Sequence, residues 1–396
     1  MRTILYVSFL IIFSTISFSF SGKGSGAEDD PFQITNILQL QEIKDDLDAN
    51  YKLMNDIDAS ETRLWNIGDH DGNPATPDEP MGYKPTFLFG TLNGDGYIIK
   101  NLYINRPKES QVALFSRVGG HIYKLGLENC HIIGCETVSG LCAIWTQGII
   151  EYCFTSGIVE ARCVGWGRGG LCGYLNGGVV YQSYSSCTVS VINDNWDFST
   201  ASFCINPSSG VGMLYCYTTG EVISNKRVSA FGENDNASHC FWDVETTGIP
   251  DTGSHEARGL PTSDMKKKAT YYNESWNFFT IWCIDEGRDY PKLRAFGKCP
   301  PTDVPLEPIN ENKLNAFPNP AYSSIDVLYK FQTDGISQII ITNSYGQQVY
   351  NANVNNINPE QEQRHSIDIS SFPSGLYFVT LRSPAVALTQ GVVVLK

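Results

Sequence analysis

A short pattern recurs through the middle of the chain at nearly constant spacing. Ala113-Leu114-Phe115 is followed by equivalent triplets that begin at Gly140, Gly170, Ala201 and Ser229, at intervals of 27, 30, 31 and 28 residues. Repeating units of this length cannot bury an apolar face alone, and they become stable by stacking on their neighbours. The spacing therefore predicts a solenoid.

The residue types of the repeat indicate strands. Val, Ile, Tyr, Thr and Gly dominate it, and it contains no amphipathic run of ten residues, which a helical repeat would need. Strands of successive coils would stack about 4.8 Å apart in parallel sheets. We therefore expect an all-β protein built around a right-handed parallel β-helix.

The ends of a solenoid expose strand edges and core, so they must be covered. Residues 36–47 predict a helical cap over the first coil, with a stripe formed by Ile37, Leu40, Ile43, Lys44 and Leu47. Beyond the repeats, residues 262–268 and the aromatic-rich stretch 271–282 are expected to close the other end. Core packing is the favoured role of those aromatic side chains, and ligand binding is the alternative.

The cysteines are confined to the middle of the chain, where all 12 lie between Cys130 and Cys299. No Cys-x-x-Cys pair occurs and the six histidines are scattered, which argues against zinc. Cys142 and Cys172 occupy one position of adjacent repeats, and the favoured interpretation is a column of small core residues. The alternative is a Cys142–Cys172 disulfide, because stacked Cα atoms lie within bridging distance.

The N-terminus predicts export. Arg2 precedes an apolar run from Ile4 to Phe20, and small residues follow, so residues 1–22 have the layout of a secretory signal peptide. The formal net charge is −14, and the longest run of basic residues is the three lysines at 266–268. The chain therefore offers phosphates no cationic face, and no nucleic-acid partner is expected.

The repeat region also carries short motifs. Residues 170–178 read GLCGYLNGG and residues 140–143 read GLCA. These resemble the GLUG repeat of bacterial surface and secreted proteins, the second as a degenerate copy. The resemblance extends to leading coils at 51–58, 65–68 and 89–99 and to closing segments at 240–243 and 290–293. It implies an N-terminal cap and leading coils over 31–111, β-helix repeats over 112–248 and a C-terminal cap over 249–297.

Composition changes after the cap. Residues 298–313 are rich in proline, which indicates a stiff linker. Short alternating strands then follow at 325–329, 338–341, 348–350, 365–369, 376–380 and 391–395. Strands spaced this closely predict a small antiparallel, Ig-like β-sandwich over residues 314–396.

The same C-terminal segment carries ordered motifs. They include Pro318, Asn319 and Pro320, then Gly346, then Gly375, Leu376 and Tyr377, with a basic residue, Lys396, at the end. In this order they resemble the type A sorting domain of the type IX secretion system. The resemblance implies Sec export, passage through an outer-membrane translocon, and removal of the domain as the cargo is released or attached to surface lipopolysaccharide. The type IX machinery is thus the implied partner.

The sequence shows no convincing catalytic constellation. Glycoside hydrolysis needs two carboxylates about 5 to 9.5 Å apart. Candidate acids inside the coils occur singly in expected turns, where solvated acids are the default, and they include Glu128, Glu151, Glu160 and Glu221. Arg162 and Arg168 flank Trp166 and form the nearest approach to a sugar-facing patch.

One segment suggests a metal. Asp69, Asp71 and Asn73 alternate around Gly72, as oxygen ligands in a Ca²⁺ loop do. The glutamate expected at the twelfth position is replaced by Pro80, so a solvated loop is the favoured interpretation. No other cofactor is expected.

These features favour binding over catalysis. We expect a secreted or cell-surface, adhesin-like β-helix protein whose ligand is a glycan or a host protein. The first alternative is a secreted carbohydrate-active β-helix enzyme, either a polysaccharide lyase or a hydrolase. The second is a structural component of the cell envelope without a specific ligand.

Overall fold

A computed structural model describes residues 20–396. The residues left out of that range are 66–80, 83–84, 146–147, 164, 166, 193–199, 206–211, 226, 233–236, 252–256, 301–312, 331–334, 345, 357–361 and 383–386. Except for residues 20–22, the predicted signal peptide lies outside the described residues.

Short strands make up most of the described chain. Those of the N-terminal part are β1 (Phe32–Ile34), β2 (Asn50–Leu53), β3 (Ile57–Asp58), β4 (Met81–Gly82), β5 (Thr86–Leu88), β6 (Thr91–Asn93), β7 (Ile98–Lys100), β8 (Tyr103–Asn105), β9 (Phe115–Val118), β10 (His121–Tyr123), β11 (Gly126–Gly134), β12 (Thr137–Ser139), β13 (Cys142–Trp145), β14 (Ile149–Glu151), β15 (Phe154–Ala161), β16 (Gly167–Gly169), β17 (Cys172–Leu175), β18 (Val179–Tyr181), β19 (Tyr184–Val191), β20 (Thr200–Ala201), β21 (Cys204–Ile205), β22 (Gly212–Leu214), β23 (Tyr217–Thr218), β24 (Val222–Ile223), β25 (Val228–Ser229), β26 (Ala237–Ser238), β27 (Phe241–Asp243) and β28 (Arg258–Leu260).

The rest of the chain adds nine strands. They are β29 (Trp282–Cys283), β30 (Lys292–Leu293), β31 (Lys313–Phe317), β32 (Ser324–Lys330), β33 (Gly335–Asn343), β34 (Gln348–Asn356), β35 (Gln363–Asp368), β36 (Gly375–Arg382) and β37 (Ala387–Val394). The described helices are short: α1 (Ile37–Gln41), α2 (Val244–Thr247), α3 (Thr262–Met265), α4 (Lys268–Tyr272) and 3-10 turns at Glu42–Asp45, Ser60–Leu64 and Arg294–Phe296.

Strands of successive coils pair in parallel and form four sheets along a solenoid. Sheet A has the order β1-β2-β6-β10-β14-β18-β22-β26, sheet B runs β28-β27-β23-β19-β15-β11-β7-β3, sheet C runs β21-β17-β13-β9-β5 and sheet D runs β12-β16-β20-β25. In sheet A, Ile122 lies between Leu92 and Ile150 of the neighbouring coils. The predicted all-β fold and the parallel β-solenoid are confirmed.

The solenoid core consists of stacked apolar columns. The middle residues of the sheet A strands are fully buried, and they are Leu92, Ile122, Ile150, Val180 and Met213. Burying such a side chain contributes about 1.5–3 kcal/mol. Because the side chains of a strand alternate, the residues on either side of each middle position face outward.

Each coil passes from sheet A to sheet B through one residue with a left-handed backbone. The φ angle is 51° at Lys124, 52° at Tyr152, 45° at Gln182, 53° at Tyr215 and 54° at His239. Side chains with a Cβ rarely adopt this conformation, and glycine is its usual occupant. None of these five corners carries glycine, so no local sequence signal marks them.

The N-terminal helix is shorter than the expected 36–47. The side chain of Asn36 caps α1 by accepting a hydrogen bond from the Gln39 backbone at 3.0 Å, but α1 ends at Gln41 and a 3-10 turn follows. The backbone of Asp46 is extended, with φ −147° and ψ 95°, so the helical turn ends before residue 47, and the carbonyl of Leu47 accepts hydrogen bonds from Phe89 and Gly90 of the next coil. Ile37, Leu40 and Ile43 are buried, as the stripe predicts, and they lie in the solenoid core.

The aromatic stretch 271–282 lies along the flank of the solenoid and does not cross its end. Tyr271, Trp276 and Trp282 are buried in a second apolar cluster together with Phe154 and Tyr217 of sheet B. This confirms core packing for those side chains. The different position follows from the outward aromatic residues of successive coils, which make the flank apolar and give the stretch a surface to cover.

The cysteine bridges differ from the one considered from the sequence. Cys142 and Cys172 are directly opposite in β13 and β17, yet both are buried free thiols, so the Cys142–Cys172 disulfide is not formed. The Cys142 thiol instead donates to the carbonyl of Ile144 in its own strand, at 3.0 Å. The bridges join Cys135 to Cys163 and Cys283 to Cys299. The column of small core residues is the arrangement observed.

The C-terminal segment forms a separate antiparallel β domain. It has a three-stranded sheet, β31-β32-β35, and a four-stranded sheet, β34-β33-β36-β37. Apolar side chains of both sheets form one cluster, which contains no described residue of the solenoid, and the main solenoid cluster contains none of this domain. A third cluster joins Leu376 and Val393 of this domain to the flank of the solenoid. The main core of each part is nevertheless separate, as expected of two domains.

Candidate functional site

The predicted sugar-facing patch does not form as expected. Arg168 lies on β16 with none of its surface exposed, and its guanidinium donates to the carbonyl of Cys163 at 2.8 Å. An arginine inside the solenoid cannot face a sugar. Arg162 is partly exposed and pairs with Glu160 at 2.7 Å. Trp166 lies outside the described residues, as do Asp69, Asp71 and Asn73 of the predicted Ca²⁺ loop.

The outer face of sheet A carries a different polar group of side chains. The outward side chains form two columns across successive coils. In one column His121 lies next to Thr91, and in the other Tyr123 lies between Asn93 and Glu151. The parallel register places one such pair in each coil, so their side chains form a continuous surface. We refer to His121, Tyr123 and Glu151 as the sheet A triad.

The triad is tightly organised. His121 Nε2 lies 3.1 Å from Glu151 Oε1, and the rings of His121 and Tyr123 are stacked with centroids 4.6 Å apart. Glu151 is only 3% exposed. Its second oxygen, Oε2, is buried and has no hydrogen-bond partner among the described residues. Buried polar atoms are almost always satisfied, so this oxygen can accept a hydrogen bond from a group other than the described residues.

Burial and charge act together on Tyr123. Burial raises the pKa of its phenol, and the nearby carboxylates of Glu151 and Asp95 raise that pKa further. The phenol is therefore a neutral donor and acceptor across the physiological range. Asp95 is itself paired with Lys52 at 3.0 Å.

A cleft of about 1410 Å³ lies over the triad. Its floor is formed by the outward residues of β2, β6, β10 and β14. Residues 280–281 and 293–295 form a wall from the flank, and Glu28 and Pro31 line it from the N-terminal segment. Pro318, Asn319, Pro320 and Tyr322 of the C-terminal domain also line it. Ligand sites commonly occupy about 300–1,000 Å³, so this cleft has room for a ligand of several units.

The predicted motif residues of the C-terminal domain converge around one strand. Asn319 accepts a hydrogen bond from the Val393 backbone at 2.8 Å and donates to the carbonyl of Gly391 at 3.2 Å. The peptide bonds before Pro318 and Pro320 are cis. Lys396 Nζ donates to the carbonyl of Tyr322 at 2.7 Å. These contacts fix the Pro-Asn-Pro turn on β37.

The other motif residues have separate roles. Gly346 has a φ angle of 75° in the turn that joins β33 and β34, a conformation that favours glycine. Gly375 begins β36, and the hydroxyl of Tyr377 donates to the carbonyl of Pro373 at 2.9 Å. Leu376 points away from its own domain's core and belongs to the apolar cluster on the solenoid flank.

The triad was not predicted from the sequence, because Glu151 was expected to lie in a solvated turn. Glu151 is instead the last residue of β14, and it is buried. Period-two alternation over Ile149-Ile150-Glu151 places the glutamate on the same face as Tyr123, once the two strands are aligned. Aligning these two strands in the sequence would therefore have indicated the triad.

The fold and the C-terminal motifs define an exported β-solenoid protein with a sorting domain. Residues 315–395 match the family described as the secretion system C-terminal sorting domain. This type IX sorting domain indicates export, with either attachment to the cell surface or secretion. The domain implies interaction with the type IX machinery.

Two proteins are similar to the chain over longer regions. It is 28% identical over 315 residues to Halomucin of Haloquadratum walsbyi, which covers 69% of this chain and 3% of Halomucin. It is 30% identical over 148 residues to a protein of Evansella cellulosilytica named "Putative Gly-rich membrane protein", which covers 37% of this chain and 14% of that protein. The chain thus spans a small part of each. No solved structure matches it.

The described residues contain neither a membrane-spanning helix nor a cluster of metal-ligating side chains. None of the helices in the described part of the chain is long and apolar enough to cross a membrane. Within the same residues, His, Cys, Asp and Glu side chains do not come together in groups of three or more that could hold a metal ion.

Proposed function

We propose that the protein is an adhesin-like β-helix protein that acts outside the cell by binding a glycan or a host protein. The observation that carries this proposal is the cleft on sheet A, where outward polar and aromatic side chains of successive coils lie in line. A rigid solenoid holds such side chains at a fixed spacing, which suits a ligand with repeating units. Delivery by the sorting domain would place the cleft where such ligands occur.

The finer family and fold assignments belong to the same proposal. The GLCGYLNGG segment at 170–178 supports membership among GLUG-repeat proteins. The coil is proposed to be right-handed, as parallel crossover connections almost always are. The two antiparallel sheets of the sorting domain support an Ig-like sandwich. After export, removal of this domain would release the solenoid or attach it to surface lipopolysaccharide.

Binding is favoured over catalysis because Glu151 is the one buried carboxylate among the described residues that line the cleft, and the other carboxylate there, Glu28, is exposed. Glu151 has a histidine as its close partner, whereas glycoside hydrolysis uses a pair of carboxylates. A carbohydrate-active enzyme is the second candidate, because a buried glutamate beside a histidine can also move a proton. Calcium binding by Asp69, Asp71 and Asn73 remains a separate prediction.

Array binding and product analysis test this proposal. The solenoid, residues 20–299, is applied to arrays of glycans and host extracellular proteins, and the same sample is incubated with a panel of polysaccharides. We expect saturable binding to at least one class of ligand, without release of reducing ends or unsaturated uronates. Release of either product would show that the protein is a carbohydrate-active enzyme and would overturn the proposal. Arrays on which no ligand is bound would favour a structural envelope component.

A further inference from the structure

The sorting domain lies over the triad in the full chain. Tyr322 lines the cleft opposite the floor, and its phenol is close enough to Glu151 and Glu28 for both carboxylates to raise its pKa, after the larger effect of burial. Pro318, Asn319 and Pro320 line the same side. The Pro-Asn-Pro turn and Tyr322, which is 56% exposed, therefore form one side of the cleft above its floor, and we call them the Pro-Asn-Pro cover.

Apolar contacts hold the cover in place. Leu376 and Val393 of the sorting domain belong to the same buried cluster as Tyr181 and Leu214 of sheet A. A Cβ atom added to Gly212 would lie 3.6 Å from Leu376 Cδ2, so the two surfaces are in close contact. Val393 also donates to Asn319, which connects this anchor directly to the cover.

One polar atom in the floor of the cleft lacks a hydrogen-bond partner among the described residues. Glu151 Oε2 is shut off from solvent and lacks a donor among the described residues, and an ionised carboxylate can only accept hydrogen bonds. Leaving such an oxygen unpaired costs free energy. A ligand with hydroxyl donors would satisfy it once the cover is gone.

The surroundings of Glu151 favour a sugar as that ligand. The rings of His121 and Tyr123 are stacked on each other and line the cleft with an imidazole and a phenol, and Asn50, Thr91 and Asn93 add neutral hydrogen-bonding groups along the floor. A polyhydroxylated ligand can use both kinds of group.

The geometry points to a glycan-binding cleft on sheet A, with His121, Tyr123 and Glu151 as its floor, that the sorting domain covers on one side until it is removed, so that an extended glycan cannot lie along successive coils. This inference rests on the proposed binding function and adds the site, the ligand class and its control. The precursor would then bind extended glycans poorly until the sorting domain is removed.

The test compares one chain before and after cleavage. A recognition sequence for a site-specific protease is inserted within residues 301–312 of the full chain, and the solenoid is separated from the sorting domain after digestion. Each form is applied to an oligosaccharide array, and the strongest glycan is titrated by calorimetry. We expect the separated solenoid to bind at least tenfold more tightly than the uncut chain.

Variants locate the site. In the separated solenoid, Glu151→Gln and Tyr123→Ala are each expected to weaken binding at least tenfold. Glu160→Gln is the matched control, because Glu160 is a carboxylate of sheet B paired with Arg162, and it should leave affinity unchanged. Carbethoxylation of His121, read by mass spectrometry, should increase several-fold on removal of the sorting domain, whereas that of His131 on sheet B should stay constant.

The outcomes separate this inference from the function on which it rests. Equal glycan affinity of the cut and uncut chains would overturn the closure. Glycan binding that neither Glu151→Gln nor Tyr123→Ala weakens would overturn the site but leave the binding function intact. Binding only to host proteins would overturn the ligand class. Absence of binding to either array would remove the proposed function as well.

Discussion

Gly157→Ala is expected to lower the free energy of unfolding of the solenoid by about 3 kcal/mol or more. Gly157 lies between Cys130 and Cys187 of the adjacent coils, with a φ angle of 126°. A Cβ atom there would stand 2.1 Å from the carbonyl oxygen of Cys130, which belongs to the backbone of a paired strand. The coils would have to separate locally, because a backbone atom cannot move aside as a side chain can.

Urea unfolding of the full chain, followed by tryptophan fluorescence, measures this effect. Gly212→Ala is the matched control, because the nearest atom to its added Cβ is Cδ1 of the Leu214 side chain at 3.4 Å. We expect that variant to change stability by less than about 1 kcal/mol. Equal midpoints for the two variants would show that the coils are not stacked as closely as described.

Asp243→Asn is expected to destabilise the end of the solenoid by about 2–4 kcal/mol. Asp243 is fully buried, and its Oδ1 accepts hydrogen bonds from the backbones of Glu245 and Thr246 at 2.9 and 3.1 Å. Its Oδ2 accepts from the hydroxyls of Thr262 and Tyr290 at 2.7 and 2.6 Å. An amide cannot accept on both sides, so one set of donors would lose its partner.

Thermal and urea unfolding test this prediction, with Asp264→Asn as the same substitution at an exposed position. Asp264 pairs with Lys267 at 2.7 Å on the surface, where such pairs contribute about 0.2–1 kcal/mol. Hydrogen exchange should locate the loss in residues 241–293. A stability change no greater than that of Asp264→Asn would contradict the role assigned to Asp243.

Periodic features of the fold could be predicted from the sequence. The repeat spacing located the coils, and Cys142 and Cys172 were correctly aligned, because one residue position of a solenoid forms one column. The motifs at Asn319 and Leu376 identified the sorting domain, because the order of these motifs along the chain is characteristic of that domain. The segment containing Asp243 and the one containing Tyr290 were both recognised as closing segments, and they meet in the structure.

Features that depend on side-chain direction could not be predicted in the same way. Arg168 was expected to face solvent and instead lies inside the solenoid. The left-handed corners at Tyr152 and Gln182 carry no glycine to mark them. Glu151 was interpreted as a surface acid because its partners, His121 and Tyr123, lie one coil away and become neighbours only when the strands pair in register.

The most direct test of the account examines the protein after export. The chain is expressed in a bacterium with a type IX secretion system, and the form recovered from the cell surface or the medium is analysed by intact mass spectrometry and by binding to immobilised glycans and host proteins. We expect that form to lack the sorting domain, residues 315–395, and to bind. An exported form that retains the domain, or that binds to none of these ligands, would contradict the account.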